Sequence, residues 1–185
     1  MFKKDKKYIT AIKWLIQLIL GTSLVFAIES ISIEFGEVDS DNQIVPILYN
    51  SSAEITGFQF FIIGMDVTNV FGGTAEENNF YLHQGSTCWR DDDCKDFVTG
   101  FSMSGSPIPA GSGTLFYLNY AEIGDDYFDE NISVNDLTCL DITEGFILGS
   151  QGNTFDVNIG ECMSSPIDCN GNYYGSAFYD DCGIC

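Results

Sequence analysis

The last 18 residues of the chain carry the side chains best suited to binding a metal ion. Asp168, Asn170 and Asn172 lie at positions 1, 3 and 5 of a loop, the spacing at which carboxylate and amide oxygens bind Ca²⁺. Position 12, where a bidentate acid is expected, is Tyr179, and Asp180 comes one place later. The segment therefore predicts either a calcium site on Asp168, Asn170, Asn172 and Asp180 or a loop held by disulfides.

Seven cysteines indicate disulfides rather than metal thiolates if the chain is exported. Cys88 and Cys94 bracket the polar segment TCWRDDDC, and a bond between them would close a seven-residue loop. Cys139 and Cys162 bracket the last predicted hairpin, where a bond would tie the final strand to its predecessor. We predict both disulfides.

Three further cysteines, Cys169, Cys182 and Cys185, lie in the tail. They cannot all pair within one chain, and an odd cysteine in an exported protein indicates an intermolecular bond or missing sequence. Their pairing stays open. Because the tail stops partway through its pattern, we expect the chain to be a fragment of a longer protein.

The N-terminal segment has the layout of a secretory signal peptide. Four lysines lie in the first seven residues, and the apolar run WLIQLILGTSLVFA follows Lys13. Ala27 fits the −1 position of a cleavage site, which predicts a signal peptide over residues 1–27. An uncleaved anchor is the alternative, because a longer count of this stretch reaches about 20 residues. Lys13 and Gln17 within the stretch favour cleavage, and both interpretations export the remainder.

Charge narrows the class of partner. The sequence has 27 acidic and 7 basic residues, a formal charge of −20. After residue 27 there are 26 acidic residues and only Arg90 and Lys95, a formal charge of −24. Such a surface repels nucleic acid phosphates and anionic lipid headgroups. We expect a secreted or cell-surface protein with no nucleic acid partner and no membrane contact beyond its export signal.

Residues with the chemistry of catalysis are scarce. The single histidine, His83, ends a short predicted strand and is interpreted as a surface or half-buried residue. No Ser-His-Asp or Cys-His arrangement forms without it, and no GxSxG, HExxH or phosphate-binding glycine loop is present. A carboxylate pair for glycoside cleavage stays open, although most acids lie in predicted loops. We predict a protein that is not an enzyme and needs no cofactor other than Ca²⁺.

The elements that must position these residues are predicted to be strands, because period-2 alternation recurs and 3.6-residue periodicity is nearly absent. In ITGFQFFIIG, Phe58, Phe60 and Ile62 share one face, which indicates a central, largely covered strand. A short helix is predicted at residues 74–78, and the segment SQGN at residues 150–153 predicts a hairpin turn. The predicted strands lie at residues 31–35, 45–49, 55–64, 80–83, 97–103, 114–122, 146–149 and 154–160.

Eight or nine short strands without a βαβ crossover predict an all-β fold, an antiparallel two-sheet sandwich of jelly-roll type. We predict the sandwich domain over residues 28–163 and an irregular, truncated, cysteine-rich acidic repeat over residues 164–185. Trp89 and Arg90 would lie on the loop between Cys88 and Cys94. An exposed Trp89 would contact a glycan or a partner, whereas a Trp89 folded back would cap the sandwich edge.

Several segments resemble a known family when taken in order: GEVDSDN, ITGFQFFIIG, VFGGTAEENNF, FSMSGSPIPAGSGTLFYL and CLDITEGFILGSQGNTFDVNIGEC. Over residues 30–162 the chain resembles the cohesin-like domains of secreted bacterial proteins. The resemblance implies a nine-stranded jelly-roll sandwich related to cellulose-binding modules. The tail resembles one DC-x-G…CG-x-C unit of thrombospondin type 3 or dockerin-like repeats, which implies calcium.

Three functions are compatible with these features. The first is a noncatalytic module that docks another extracellular protein domain through one sheet, as cohesins hold dockerins. The second is a polysaccharide-binding module, which needs two or three coplanar exposed aromatics. The third is a structural spacer in a surface adhesin. Because the sequence shows no obvious aromatic strip on a solvent-facing strand side, it favours protein docking or a spacer.

Overall fold

A computed structural model of the chain describes residues 29–88, 94–121, 137–163, 169, 177, 179, 180 and 182–185. The regular elements in these ranges are nine strands, one short helix and a 3₁₀ turn at Ser150–Gly152. They are β1 (Ser30–Phe35), β2 (Ile44–Ser51), β3 (Ile55–Ile63), β4 (Asp66–Phe71), α1 (Gly73–Glu77), β5 (Phe80–Cys88), β6 (Cys94–Ser102), β7 (Gly111–Ala121), β8 (Cys139–Gly149) and β9 (Asp156–Ile159).

The strands form two sheets that pack face to face. One sheet has five strands in the order β4-β7-β2-β1-β9, and the other has four in the order β5-β6-β3-β8. The predicted jelly-roll sandwich is confirmed. One strand pair departs from the antiparallel rule, because β9 pairs with β1 in parallel. The chain reaches β9 from β8 in the opposite sheet, and β9 forms the edge of the five-stranded sheet beside β1.

The core lies between the sheets and is dominated by phenylalanine. The rings of Phe58, Phe60 and Phe116 stack on one another with centroids 5.5 to 5.9 Å apart. Phe58 lies over Gly100 of β6, where an added Cβ would be 2.2 Å from the ring. Only glycine fits there, and overpacking at such a position costs roughly 1–3 kcal/mol. The inward side of ITGFQFFIIG is therefore the side that the alternation predicts.

Two predictions about elements need correction. Strand β4 was not predicted, because Asp66–Phe71 has exposed polar residues within it and precedes a Gly-Gly turn. Across the segment SQGN the chain does turn back, and Leu148 and Thr154 form one antiparallel bridge, but the predicted strand pairing goes no further. Its 3₁₀ turn is a corner at which the chain leaves β8 and crosses to the other sheet, where β9 pairs with β1.

The predicted helix at residues 74–78 is present as α1, shifted by one residue. It has five residues, and none of the helices in the described ranges is long enough to span a membrane.

Candidate docking face on the four-stranded sheet

The strand register places twelve residues in three rows on the outer face of the four-stranded sheet. Each row crosses β5, β6, β3 and β8 in turn, over a width of roughly 15 Å at the usual strand spacing. The rows are Tyr81-Phe101-Gly57-Leu148, His83-Thr99-Gln59-Phe146 and Gly85-Phe97-Phe61-Asp141. We call these twelve residues the outer face.

Three large aromatic side chains of the outer face are exposed to solvent. Tyr81 is 51% exposed, Phe101 44% and Phe146 40%. The rings of Tyr81 and Phe101 lie 5.4 Å apart with their planes tilted by 50°. His83 stacks 6.4 Å from Tyr81, on the surface of β5. Several large apolar side chains exposed on one sheet face are typical of a binding surface.

This arrangement corrects the expectation that no aromatic strip faces solvent. The three aromatics come from three different strands, β5, β6 and β8, and the register brings them to one face. Phe61 is also on this face, but it is only 5% exposed because Phe97 packs edge-on against it at 6.3 Å.

Charge is nearly absent from the outer face, although the chain is strongly acidic. Asp141 is the one carboxylate among the twelve residues, and Lys95 Nζ lies 3.5 Å from its Oδ2. Hydrogen bonds from Thr143 and the charge of Lys95 hold the pKa of Asp141 below its usual value. Depletion of charge around aromatic residues is the composition of the centre of a protein interface.

The outer side of the five-stranded sheet differs in composition. Its strands β1 and β9 present Ser30, Glu34, Asp156 and Asn158 to solvent. A polar surface of this kind is ordinary for a solvated sheet. The large apolar residues that are exposed within strands of the described chain all belong to the four-stranded sheet, which makes it the candidate interface: Ile63, Tyr81, Phe101 and Phe146.

A bulge in β8 forms a shallow pocket beside the outer face. Gln59 stands opposite Phe146, but Phe61 stands opposite Asp141, so residues 142–145 of β8 face a single residue of β3. A Cβ on Gly145 would be 2.2 Å from the Gln59 carbonyl oxygen, and the close approach therefore requires glycine. Bulges of this kind redirect side chains. Here the bulge brings Glu144 to a pocket of about 270 Å³.

Two carboxylates, Asp66 of β4 and Asp96 of β6, lie close together. Asp96 is buried, and its two oxygens accept hydrogen bonds from the Val67 N–H, at 2.7 Å, and the Ser86 hydroxyl. Burial and the charge of Asp96 raise the pKa of Asp66. The hydrogen bond from the Val67 N–H to Asp96 ties β4 to β6. Within the described residues no group of three His, Cys, Asp or Glu could hold a metal ion.

The structure joins Cys139 and Cys162 in a disulfide with a Cα–Cα distance of 4.4 Å. The bond links the start of β8 to the segment after β9. Cys88 and Cys94 stand opposite each other as the last residue of β5 and the first of β6. Their bond stays a prediction.

Most of the predicted calcium ligands lie outside the described residues, namely Asp168, Asn170 and Asn172. Asp180 is described, and its Oδ1 accepts hydrogen bonds from the backbone N–H groups of Cys182 and Ile184 at 2.9 and 2.8 Å. The carboxylate thus stabilises a turn, and the calcium site stays a prediction. In the same tail Cys169 is bonded to Cys185, and Cys182 is an exposed free thiol.

The predicted contact residues Trp89 and Arg90 also lie outside the described part of the chain. The residues that sequence reasoning missed are Tyr81, Phe101, Phe146 and Glu144. Alternation along β5 does place Tyr81 on the face opposite the core residue Phe80. The face of β8 on which Phe146 lies depends on the bulge.

Comparisons with known proteins add the following. No protein-family model matches the sequence, and no curated protein matches it. The structure is similar to the third cohesin of ScaC from Acetivibrio cellulolyticus, solved with the ScaB dockerin, at a TM-score of 0.47 and 13% identity over 73% of this chain and 98% of that one. It is also similar to the OlpC cohesin of Clostridium thermocellum, solved in a cohesin-dockerin complex, at 0.45 and 15% over 75% and 93%.

A non-cellulosomal cohesin from Archaeoglobus fulgidus has a TM-score of 0.41 and 15% identity over 72% of this chain and 86% of that one. Each of these TM-scores is below 0.5. The jelly-roll assignment therefore rests on the strand order and register of this chain itself.

Proposed function

We propose that the protein is a noncatalytic binding module that docks a second extracellular protein domain through the outer face of the four-stranded sheet. The observation that carries the proposal is the exposed group of Tyr81, Phe101 and Phe146 on a face with one carboxylate, which is already paired. The sequence resemblance to cohesin-like domains points to the same class of function. Export by the N-terminal segment belongs to the proposal.

The charge of the chain defines the partner. The apolar centre of the outer face is surrounded by a protein with 26 acidic residues after position 27. The complementary surface is an apolar patch with a basic rim, because opposite potentials speed encounter and exclude acidic competitors. Aromatic residues at the centre would supply most of the affinity.

A polysaccharide partner is the alternative, since exposed aromatics also stack on sugar rings. The geometry favours a protein. Tyr81 and Phe101 are tilted by 50° and do not form one flat platform, and two of the three exposed rings are phenylalanines without a polar atom to orient a sugar hydroxyl.

A biosensor experiment separates these functions. The full chain, its Tyr81→Ala/Phe101→Ala variant and an Asn50→Ala/Asn158→Ala control variant on the other sheet are immobilised in parallel. Extracellular proteins of the source organism and a glycan panel are passed over each surface. We expect one protein to bind the first and third surfaces and at least tenfold less to bind the aromatic variant.

Binding of a glycan that the aromatic variant loses would instead assign the face to polysaccharide. Equal protein binding to all three immobilised chains would contradict docking through the outer face. The outer face could instead bind a second copy of this chain. Sedimentation of the free chain would then show a dimer, and the Tyr81→Ala/Phe101→Ala variant would be a monomer.

A further inference from the structure

The pocket beside the β8 bulge combines an aromatic floor with an acidic mouth. Phe61 and Phe97 form the floor, with ring centroids 6.3 Å apart. The pocket is lined by Gln59, Phe61, Thr87, Phe97 and Glu144 and has a volume of about 270 Å³. That volume suits one long side chain and is too small for a drug-sized ligand.

Glu144 supplies the charge at this pocket. It is exposed within the bulge, where the Thr143 N–H donates to Asp141 Oδ1 at 2.8 Å and fixes the turn of the backbone. In the part of the chain that the structure describes, Lys95 is the only lysine or arginine. Because Lys95 is bound to Asp141, it does not neutralise Glu144.

Lys95 itself shows what a basic side chain does on this surface. It starts on β6, crosses β3 and reaches Asp141 on β8, a span of two strand spacings, or roughly 10 Å. Its methylene groups thus cross an apolar strand while its ammonium group pairs with a carboxylate. Long basic side chains commonly lie on apolar surfaces in this way. The pocket has the same two parts, an apolar surface and the Glu144 carboxylate, but no described residue of this chain supplies the cation.

We propose that this pocket receives a lysine or arginine side chain of the docked protein, an inference that rests on the docking function proposed above. The stem of that side chain packs on Phe97 and its cation lies between the ring face and the Glu144 carboxylate, with the Gln59 amide oxygen as a further acceptor. A cation over an aromatic ring and a surface ion pair each give modest affinity. Among proteins that present an apolar surface to the outer face, the pocket therefore favours one with a lysine or arginine positioned to enter it.

The test uses the basic side chain alone. The ¹⁵N-labelled full chain is titrated with N-acetyl-arginine methylamide and, separately, with the neutral isostere N-acetyl-citrulline methylamide. We expect the arginine probe to shift the amide signals of Gln59, Phe97 and Glu144, with a dissociation constant on the order of 10 mM. The citrulline probe should leave those signals unchanged, and Glu144→Gln should weaken arginine binding by roughly threefold to tenfold.

Equal shifts with both probes, or unchanged arginine binding in Glu144→Gln, would overturn the proposal. An Arg90→Gln variant serves as a control, since Arg90 lies outside the described residues. If arginine binds only after that substitution, the chain's own residue fills the pocket and the proposal is wrong.

The Tyr81→Ala/Phe101→Ala variant distinguishes the two proposals, because its pocket residues are intact. Arginine binding by this variant, together with failure of the biosensor experiment, would contradict the docking function and leave the pocket. Docking without any arginine response would contradict the pocket alone.

Discussion

Tyr81 on β5 and Phe101 on β6 stand directly opposite each other, with ring centroids 5.4 Å apart, and about half of each side chain is exposed to solvent. Cross-strand aromatic pairs of this kind contribute about 0.2–1 kcal/mol to a sheet. That contribution is small for two exposed apolar rings, and binding a partner explains their placement better than folding does.

The first prediction concerns stability. Replacing Tyr81 and Phe101 together by alanine should lower the free energy of unfolding by no more than about 1–2 kcal/mol, because both side chains are exposed. Phe58→Ala should cost roughly 3–5 kcal/mol, because that ring lies in the core. Urea unfolding followed by circular dichroism measures both. A cost for the surface pair as large as that for Phe58→Ala would show that the pair serves folding.

The second prediction concerns the bulge. Gly145→Ala should destabilise the protein by roughly 1–3 kcal/mol, because an added Cβ meets the Gln59 carbonyl oxygen at 2.2 Å. It should also displace Glu144 from the pocket and remove the response to the arginine probe. Gly113→Ala on β7 is the control, because its φ is not positive and an added Cβ would lie 3.7 Å from its nearest atom, the Thr74 hydroxyl oxygen; we expect almost no loss of stability there. A bulge that accepts alanine without loss would contradict this description of β8.

The third prediction concerns pH, where two aspartates act in opposite directions. The pKa of Asp141 is lowered in the folded state, so its charge stabilises the fold above pH ~4 and this contribution is lost as the pH falls through the lowered pKa. Asp141→Asn should therefore cost about 0.2–1 kcal/mol at pH 7 and nothing in strong acid.

The pKa of Asp66 is raised by burial and by Asp96, so charged Asp66 destabilises the fold at neutral pH. The penalty disappears as the pH falls through the raised pKa towards ~4. Asp66→Asn should make the protein more stable at pH 7, and the difference should vanish in acid. Thermal unfolding at pH 7 and pH 3 checks both variants. Shifts of the same sign in both would contradict the electrostatic description.

The fourth prediction concerns the disulfide between Cys139 and Cys162, whose residues are 23 apart in sequence. A bond that closes a loop of this length restricts the unfolded chain and contributes about 3 kcal/mol. The Cys139→Ser/Cys162→Ser variant should lose that amount in denaturant. Cys182→Ser, which removes an exposed free thiol, should lose almost nothing.

The alternation of side chains predicted most of the strands and the core residues. It did not predict features that depend on how one strand pairs with another. Alternation in ITGFQFFIIG identified Phe58, Phe60 and Ile62 as inward residues, because period 2 is a property of any strand. The extent of β8 was underestimated, since its bulge is set by contact of Gly145 with β3 and has no local signature.

The exposed aromatic residues of the outer face were missed for the same reason. Tyr81, Phe101 and Phe146 lie on three strands, and their common face follows from register, which single strands do not reveal. The predicted calcium ligands and contact residues, by contrast, lie in a loop and in the tail, where acidic and cysteine residues are concentrated. Most of those loop and tail residues lie outside the described part of the chain.

Site-specific photocrosslinking tests whether a partner docks on the outer face. The full chain carries p-benzoylphenylalanine at position 81, or at position 50 on the opposite sheet, and is exposed to the extracellular proteins of the source organism. We predict one protein adduct at position 81 that excess unmodified chain suppresses and excess Tyr81→Ala/Phe101→Ala variant does not. Equal adducts at both positions, or equal suppression by the variant, would contradict docking through the outer face.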